Sequence, residues 1–77
     1  MQGPGQVIRK ARIAAGLSQA ALAKRVGTNQ SAVSFIERGR RIPDVAIAAR
    51  IADAVGVPRR EFLARIADAM VDRPAGH

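Results

Sequence analysis

The chain predicts a compact all-α domain of five helices. Three observations lead there. Its 77 residues suffice for one small domain. Its apolar residues recur three and four positions apart, the spacing that lines one face of a helix. Glycine falls where each of the first four stripes stops, at Gly16, Gly27, Gly39 and Gly56.

Residues 1–5, with two glycines and a proline, are expected to form a flexible N-terminal arm. A first helix follows over 6–15, with Ile8, Ala11 and Ala15 inward and Arg9, Lys10 and Ile13 toward solvent. Gly16 ends it. Ser18 is placed to cap a second helix from Gln19 to Val26, although Ala21 three residues on cannot complete a reciprocal cap. Leu22 and Val26 share its inner face, Ala23 lies between them, and Lys24 and Arg25 turn outward. Gly27 supplies the left-handed residue that a helix C-terminus often needs. Thr28 or Asn29 then caps a third helix, whose Val33 and Ile36 meet Leu22 and Val26 across the corner. Ala23 is small enough to let these two helices come close.

Gly39 ends the third helix, and Pro43 with Asp44 starts a fourth from Val45 to Val55, Asp44 serving as cap. Val45, Ala48, Ala49, Ile51, Ala52 and Val55 give it a broad apolar face. Gly56-Val57-Pro58 breaks the chain again, and Pro58 opens a fifth helix over about 58–72, with a flexible tail at 73–77. Its stripe is Phe62, Leu63, Ile66, Ala67, Met70 and Val71. Phe62 and Leu63 belong to the core. Ile66, Met70 and Val71 exceed what so small a domain needs to bury, so they either pack back on the first helix or meet a second chain.

Composition narrows the function. The chain has no cysteine and a single histidine, His77, which leaves no thiol nucleophile, no disulfide, no histidine-based catalytic arrangement and no zinc cluster. No metal, cofactor or catalytic activity is therefore expected. The N-terminal MQGPGQ lacks the apolar run of a signal peptide and no stretch approaches a membrane span, so a cytoplasmic location is expected. The net charge is +7. Residues 1–41 carry eight basic residues against one acid, Glu37, while residues 42–77 carry five of each sign. All of the excess thus lies in the half that holds the second and third helices, where it would neutralise phosphate.

Residues 19–38 are the centre of the chain: two short helices about one glycine turn, a helix-turn-helix expected to bind DNA. The outward face of its third helix carries Asn29, Gln30, Ser31, Ser34, Phe35 and Arg38, groups suited to the edges of base pairs. Gln30 is the leading base reader, since a carboxamide donates and accepts at once and matches adenine N6 and N7. Ser31 and Ser34 can bond either to bases or to phosphate. Phe35 either touches thymine methyl groups or turns aside onto the first helix or the loop at Ile42.

This segment resembles the phage repressor/Cro family and its XRE-like bacterial relatives. The likeness rests on Gln19, Ala23, Gly27, the apolar set Leu22, Val26, Val33 and Ile36, and the run from Ser34 to Gly39. It extends upstream to Arg12 and Gly16-Leu17-Ser18, and downstream to Pro43 and Val55-Gly56-Val57, covering about residues 6–63. It implies a lambda-repressor-like fold and a structural ion pair between Arg12 and Glu37. It also implies phosphate contacts from Gln19, Arg38, Arg40 and Arg41. Arg59 stands where the family is usually apolar and near its dimer contact, a departure that keeps the family's mode of pairing from carrying over; Arg59, with Ile66, Met70 and Val71 of the fifth-helix stripe, is the candidate dimer interface.

The expected function is a sequence-specific transcriptional regulator, a repressor or autoregulator, acting on double-stranded DNA as a homodimer at an inverted repeat. The alternative is an antitoxin-like protein that binds a partner protein through its C-terminal helix and represses its own operon.

Overall fold

The computed structural model describes residues 3–71, and these fold into α1 (Pro4–Ala14), α2 (Gln19–Val26), α3 (Gln30–Glu37), α4 (Val45–Val55) and α5 (Arg59–Val71), with no strand among them. Side-chain caps set three of the starts. Ser18 Oγ accepts from the Ala21 N–H at 3.0 Å, Asn29 Oδ1 from Ala32 at 2.9 Å, and Asp44 Oδ1 from Ile47 at 2.8 Å. Each satisfies an amide that a helix start leaves unpaired. The turn between α2 and α3 is made at Gly27, whose φ of 86° is open to glycine and strained for other residues. There the amides of Gly27 and Thr28 both bond to the Ala23 carbonyl at 2.9 Å.

α2 packs on α3 and α4, α4 packs on α5, and α1 lies across α3, α4 and α5. The core so enclosed contains Ile8, Leu22, Val26, Val33, Ile36, Ile51, Phe62 and Ile66, with Ala23, Ala48 and Ala52 where helix backbones approach. Phe62, Ile8, Leu22 and Ile51 are its largest fully buried side chains. Each contributes about 1.5 to 3 kcal/mol from burial. No helix of the described residues is long and apolar enough to cross a membrane.

Several expectations are corrected. Helix α1 begins at Pro4, inside the expected arm, because proline presets a helical φ and its missing N–H costs nothing in a first turn. Gly5 is buried in that turn against the end of α3. Met1 and Gln2 lie outside the described residues. So do residues 72–77, and with them the expected end of the fifth helix and the tail.

Ala15 is exposed rather than inward. Its amide bonds back to Ala11 and Arg12, closing α1 before the stripe reaches another helix. Val45 is 72% exposed, because it is the first residue of α4 and lies ahead of that helix's contacts, which begin at Ile47 and Ala48. Pro58 precedes α5 instead of opening it, and its carbonyl accepts from the Phe62 N–H at 2.9 Å.

Ile66 is only 5% exposed and belongs to this chain's own core, one turn beyond Phe62 on the same face. It is therefore withdrawn from the candidate dimer interface. The buried stripe runs Phe62, Ile66, Ala69, so Ala67 turns to solvent. Met70 and Val71 remain exposed.

Candidate nucleic-acid interface

The core decides which side of α3 faces outward. With Val33 and Ile36 buried, Gln30, Ser31, Phe35 and Arg38 are exposed and Ser34 is half-buried. These five residues, with Gln19 from the start of α2, line a shallow groove of about 220 Å³. Five of the six lining side chains can form hydrogen bonds, and the groove bears cationic charge at one end.

Gln30 is the first residue of α3 and makes no side-chain hydrogen bond among the described residues, so its whole carboxamide is open to a ligand. Asn29 lies outside the lining, and its Oδ1 is committed to capping α3. The Asn29 amide donors are free of that cap. Ser31 and Ser34 both line the groove.

Phe35 stays outward, 45% exposed, with the Arg38 guanidinium carbon 5.4 Å from its ring centroid. That distance is within the range of cation–π attraction. Arg38 Nε also reaches the Ser34 carbonyl at 3.4 Å. The two side chains therefore lie together along one edge of the groove.

Beneath this surface lies a buried charge cluster. Arg12 Nε donates to Glu37 Oε2 at 2.6 Å and Arg12 Nη2 to Glu37 Oε1 at 3.0 Å, while Arg12 Nη1 donates to the Leu17 carbonyl at 2.8 Å. The two side chains are 12% and 3% exposed. The hydrogen bonds it donates to Glu37 hold the Arg12 guanidinium above its ordinary pKa, and the Glu37 charge adds to that, while burial opposes it. Gln19 Nε2 also donates to Glu37 Oε1, at 3.1 Å, a contact inward from the groove that its sequence position did not foretell. No buried polar side-chain atom among the described residues is left without a partner.

Arg40 and Arg41 are exposed in the turn after α3, where Gly39 adopts a φ of 77° and the Arg40 N–H returns to the Phe35 carbonyl at 2.9 Å. Arg38, Arg40 and Arg41 have no ion-pair partner among the described residues, while the nearby Glu37 is engaged by Arg12. Their charge is thus available to an external anion.

Arg59 is exposed and grips Asp53 with two bonds, Nε to Oδ1 at 2.9 Å and Nη2 to Oδ2 at 2.6 Å. Those hydrogen bonds, with the Arg59 charge, hold the Asp53 carboxyl below its usual range. Arg59 accordingly joins the end of α4 to the start of α5 within one chain. Sequence reasoning missed the burial of Gly5, the Gln19–Glu37 hydrogen bond and this Arg59–Asp53 pair. Gly5 left one trace, a glycine directly after a helix-opening proline, but the helix it meets lies more than thirty residues away.

Comparison with known proteins agrees with this geometry. The helix-turn-helix family matches residues 8–62. An uncharacterized HTH-type transcriptional regulator of Methanothermobacter thermautotrophicus is 42% identical over 50 residues, covering 65% of this chain and 72% of that protein. Among solved structures, the restriction-modification controller protein C.AhdI from Aeromonas hydrophila superposes with a TM-score of 0.71 at 37% identity, over 77% of this chain and 89% of its own. The DNA-binding domain of the P22 C2 repressor gives 0.75 at 29% identity, over 88% of this chain and 87% of its own. The clp gene regulator ClgR from Corynebacterium glutamicum gives 0.77 at 25% identity, over 94% and 77%.

Proposed function

This chain belongs to the Cro/C1-type helix-turn-helix family of DNA-binding transcriptional regulators, and from that premise we propose that it is a sequence-specific repressor or autoregulator. α3 enters the major groove of double-stranded DNA and α2 crosses the backbone. Gln30, Ser31, Ser34 and Phe35 meet base edges, with Asn29 contributing through its amide donors. Gln19, Arg38, Arg40 and Arg41 bond to phosphate. The observation that carries this reading is the open carboxamide of Gln30 in a polar groove that ends at Arg38, an arginine with no ion-pair partner among the described residues.

The protein acts as a homodimer on an inverted repeat with half-sites about 34 to 36 Å apart. The likeness to a restriction-modification controller and to a phage repressor supports a repressive or autoregulatory role. Exposed Met70 and Val71 at the end of α5 favour a second protein there, either another copy or the toxin of an antitoxin-like arrangement.

Selection of DNA from a random pool by the purified protein at physiological salt tests the reading. An enriched inverted repeat is the expected result. Salt-sensitive retention with no enriched motif would overturn specific recognition and leave nonspecific phosphate binding.

A further inference from the structure

We propose that Glu37 is a positioning residue for DNA binding, acting through Gln19 rather than by touching DNA. The inference rests on the proposal that Gln19 meets phosphate, and it assigns the control of that contact to a buried acid.

Glu37 Oε2 is taken by Arg12 Nε, while Glu37 Oε1 receives both Arg12 Nη2 and Gln19 Nε2, at 3.0 and 3.1 Å. The Glu37 side chain is 3% exposed, so water scarcely competes for these bonds. An ionised carboxylate only accepts hydrogen bonds. It therefore attracts the amide nitrogen of Gln19 and repels the amide oxygen, which fixes how the carboxamide is turned. One amide hydrogen is spent on Glu37, and the amide oxygen and the second hydrogen stay available to the groove that Gln19 lines.

A phosphate oxygen needs a donor, and that second hydrogen is one. Without Glu37 the long glutamine side chain would sample several rotamers and both faces of its amide. Arg12 completes the arrangement by neutralising Glu37, so that the carboxylate can orient Gln19 without repelling the phosphate beyond it.

A double-mutant cycle tests this. Gln19→Ala is made in the parent chain and in a background where the buried pair is replaced by apolar residues, Arg12→Met with Glu37→Leu, a change that can leave a fold intact. Affinity for the selected operator is read after circular dichroism and melting confirm folding. In the parent, Gln19→Ala should weaken binding about tenfold or more, as expected for a hydrogen bond to a charged group. The apolar background should show a similar loss by itself, and Gln19→Ala should then cost less than about twofold, the signature of coupled residues. The same tenfold loss in both backgrounds would overturn the role of Glu37 while leaving the Gln19 contact standing. No loss from Gln19→Ala in the parent would overturn that contact and the proposal with it.

A second measurement needs no substitution and keeps the idea falsifiable if the apolar background does not fold. In the DNA-free protein one Gln19 side-chain amide hydrogen should be displaced from its free-glutamine NMR shift, and that shift should be insensitive to temperature. Both hydrogens at free-glutamine shifts, with ordinary temperature dependence, would reject positioning.

Discussion

A Cβ added at Gly5 would stand 2.5 Å from the carbonyl oxygen of Glu37, and equally close to that of Ile36. The first turn of α1 thus rests directly on the last turn of α3, the helix proposed to read DNA. Gly5→Ala must push these elements apart, and overpacking of this kind costs about 1 to 3 kcal/mol. For a domain of this size each kcal/mol lowers the melting temperature by roughly 4 to 8 °C. Gly3→Ala, which meets nothing within 4 Å, is the matched control and should melt close to the parent. Equal melting of the two variants would show that α1 does not approach α3 so closely.

The same end of α3 holds the buried ion pair. Removing Glu37 alone strands the Arg12 guanidinium, so Glu37→Ala should destabilise the fold by about 3 to 5 kcal/mol, well above the 0 to 1 kcal/mol of a surface pair. Urea denaturation of the variant beside Glu61→Ala, whose partner Arg65 is on the same exposed helix face, separates the two cases. Similar midpoints would contradict a buried role for Glu37.

Gln30→Ala should lose about 1 to 3 kcal/mol of discrimination at one base pair in each half-site. Other positions of the operator should keep their preferences. Binding to a panel of single-base operator variants reads this out, and a uniform loss would move Gln30 from base to backbone.

Phe35→Ala should relax the preference at one thymine-bearing position, because the ring is exposed beside the groove and can contact the C5-methyl. It should also free Arg38 from its seat over the ring. A folded Phe35→Ala protein with every base preference intact would exclude the methyl contact.

Arg40→Ala should act differently, weakening all sequences alike and reducing the salt slope by about one. Titration of operator and unrelated DNA at several salt concentrations checks both parts. Loss confined to the operator would place Arg40 on a base.

The boundaries of α2, α3 and α4 were legible because they are set locally. Ser18, Asn29 and Asp44 cap from within three residues, and Gly27 turns the chain through its own φ. Apolar spacing likewise marks Leu22, Val26, Val33 and Ile36 as inward, and thereby leaves Gln30, Ser31, Phe35 and Arg38 outward. Glu37, the lone acid of a basic half, called for some arginine partner, but Arg12 was named through family resemblance, since twenty-five positions separate the two. What tertiary structure alone decided depends on which distant elements share a surface. The end of α3 makes Gly5 a buried contact, the packing of α5 draws Ile66 into the core, and the proximity of Glu37 turns the amide of Gln19 inward. Periodicity specifies a face of a helix, whereas the neighbour that covers it is chosen by the free energy of packing all five helices together.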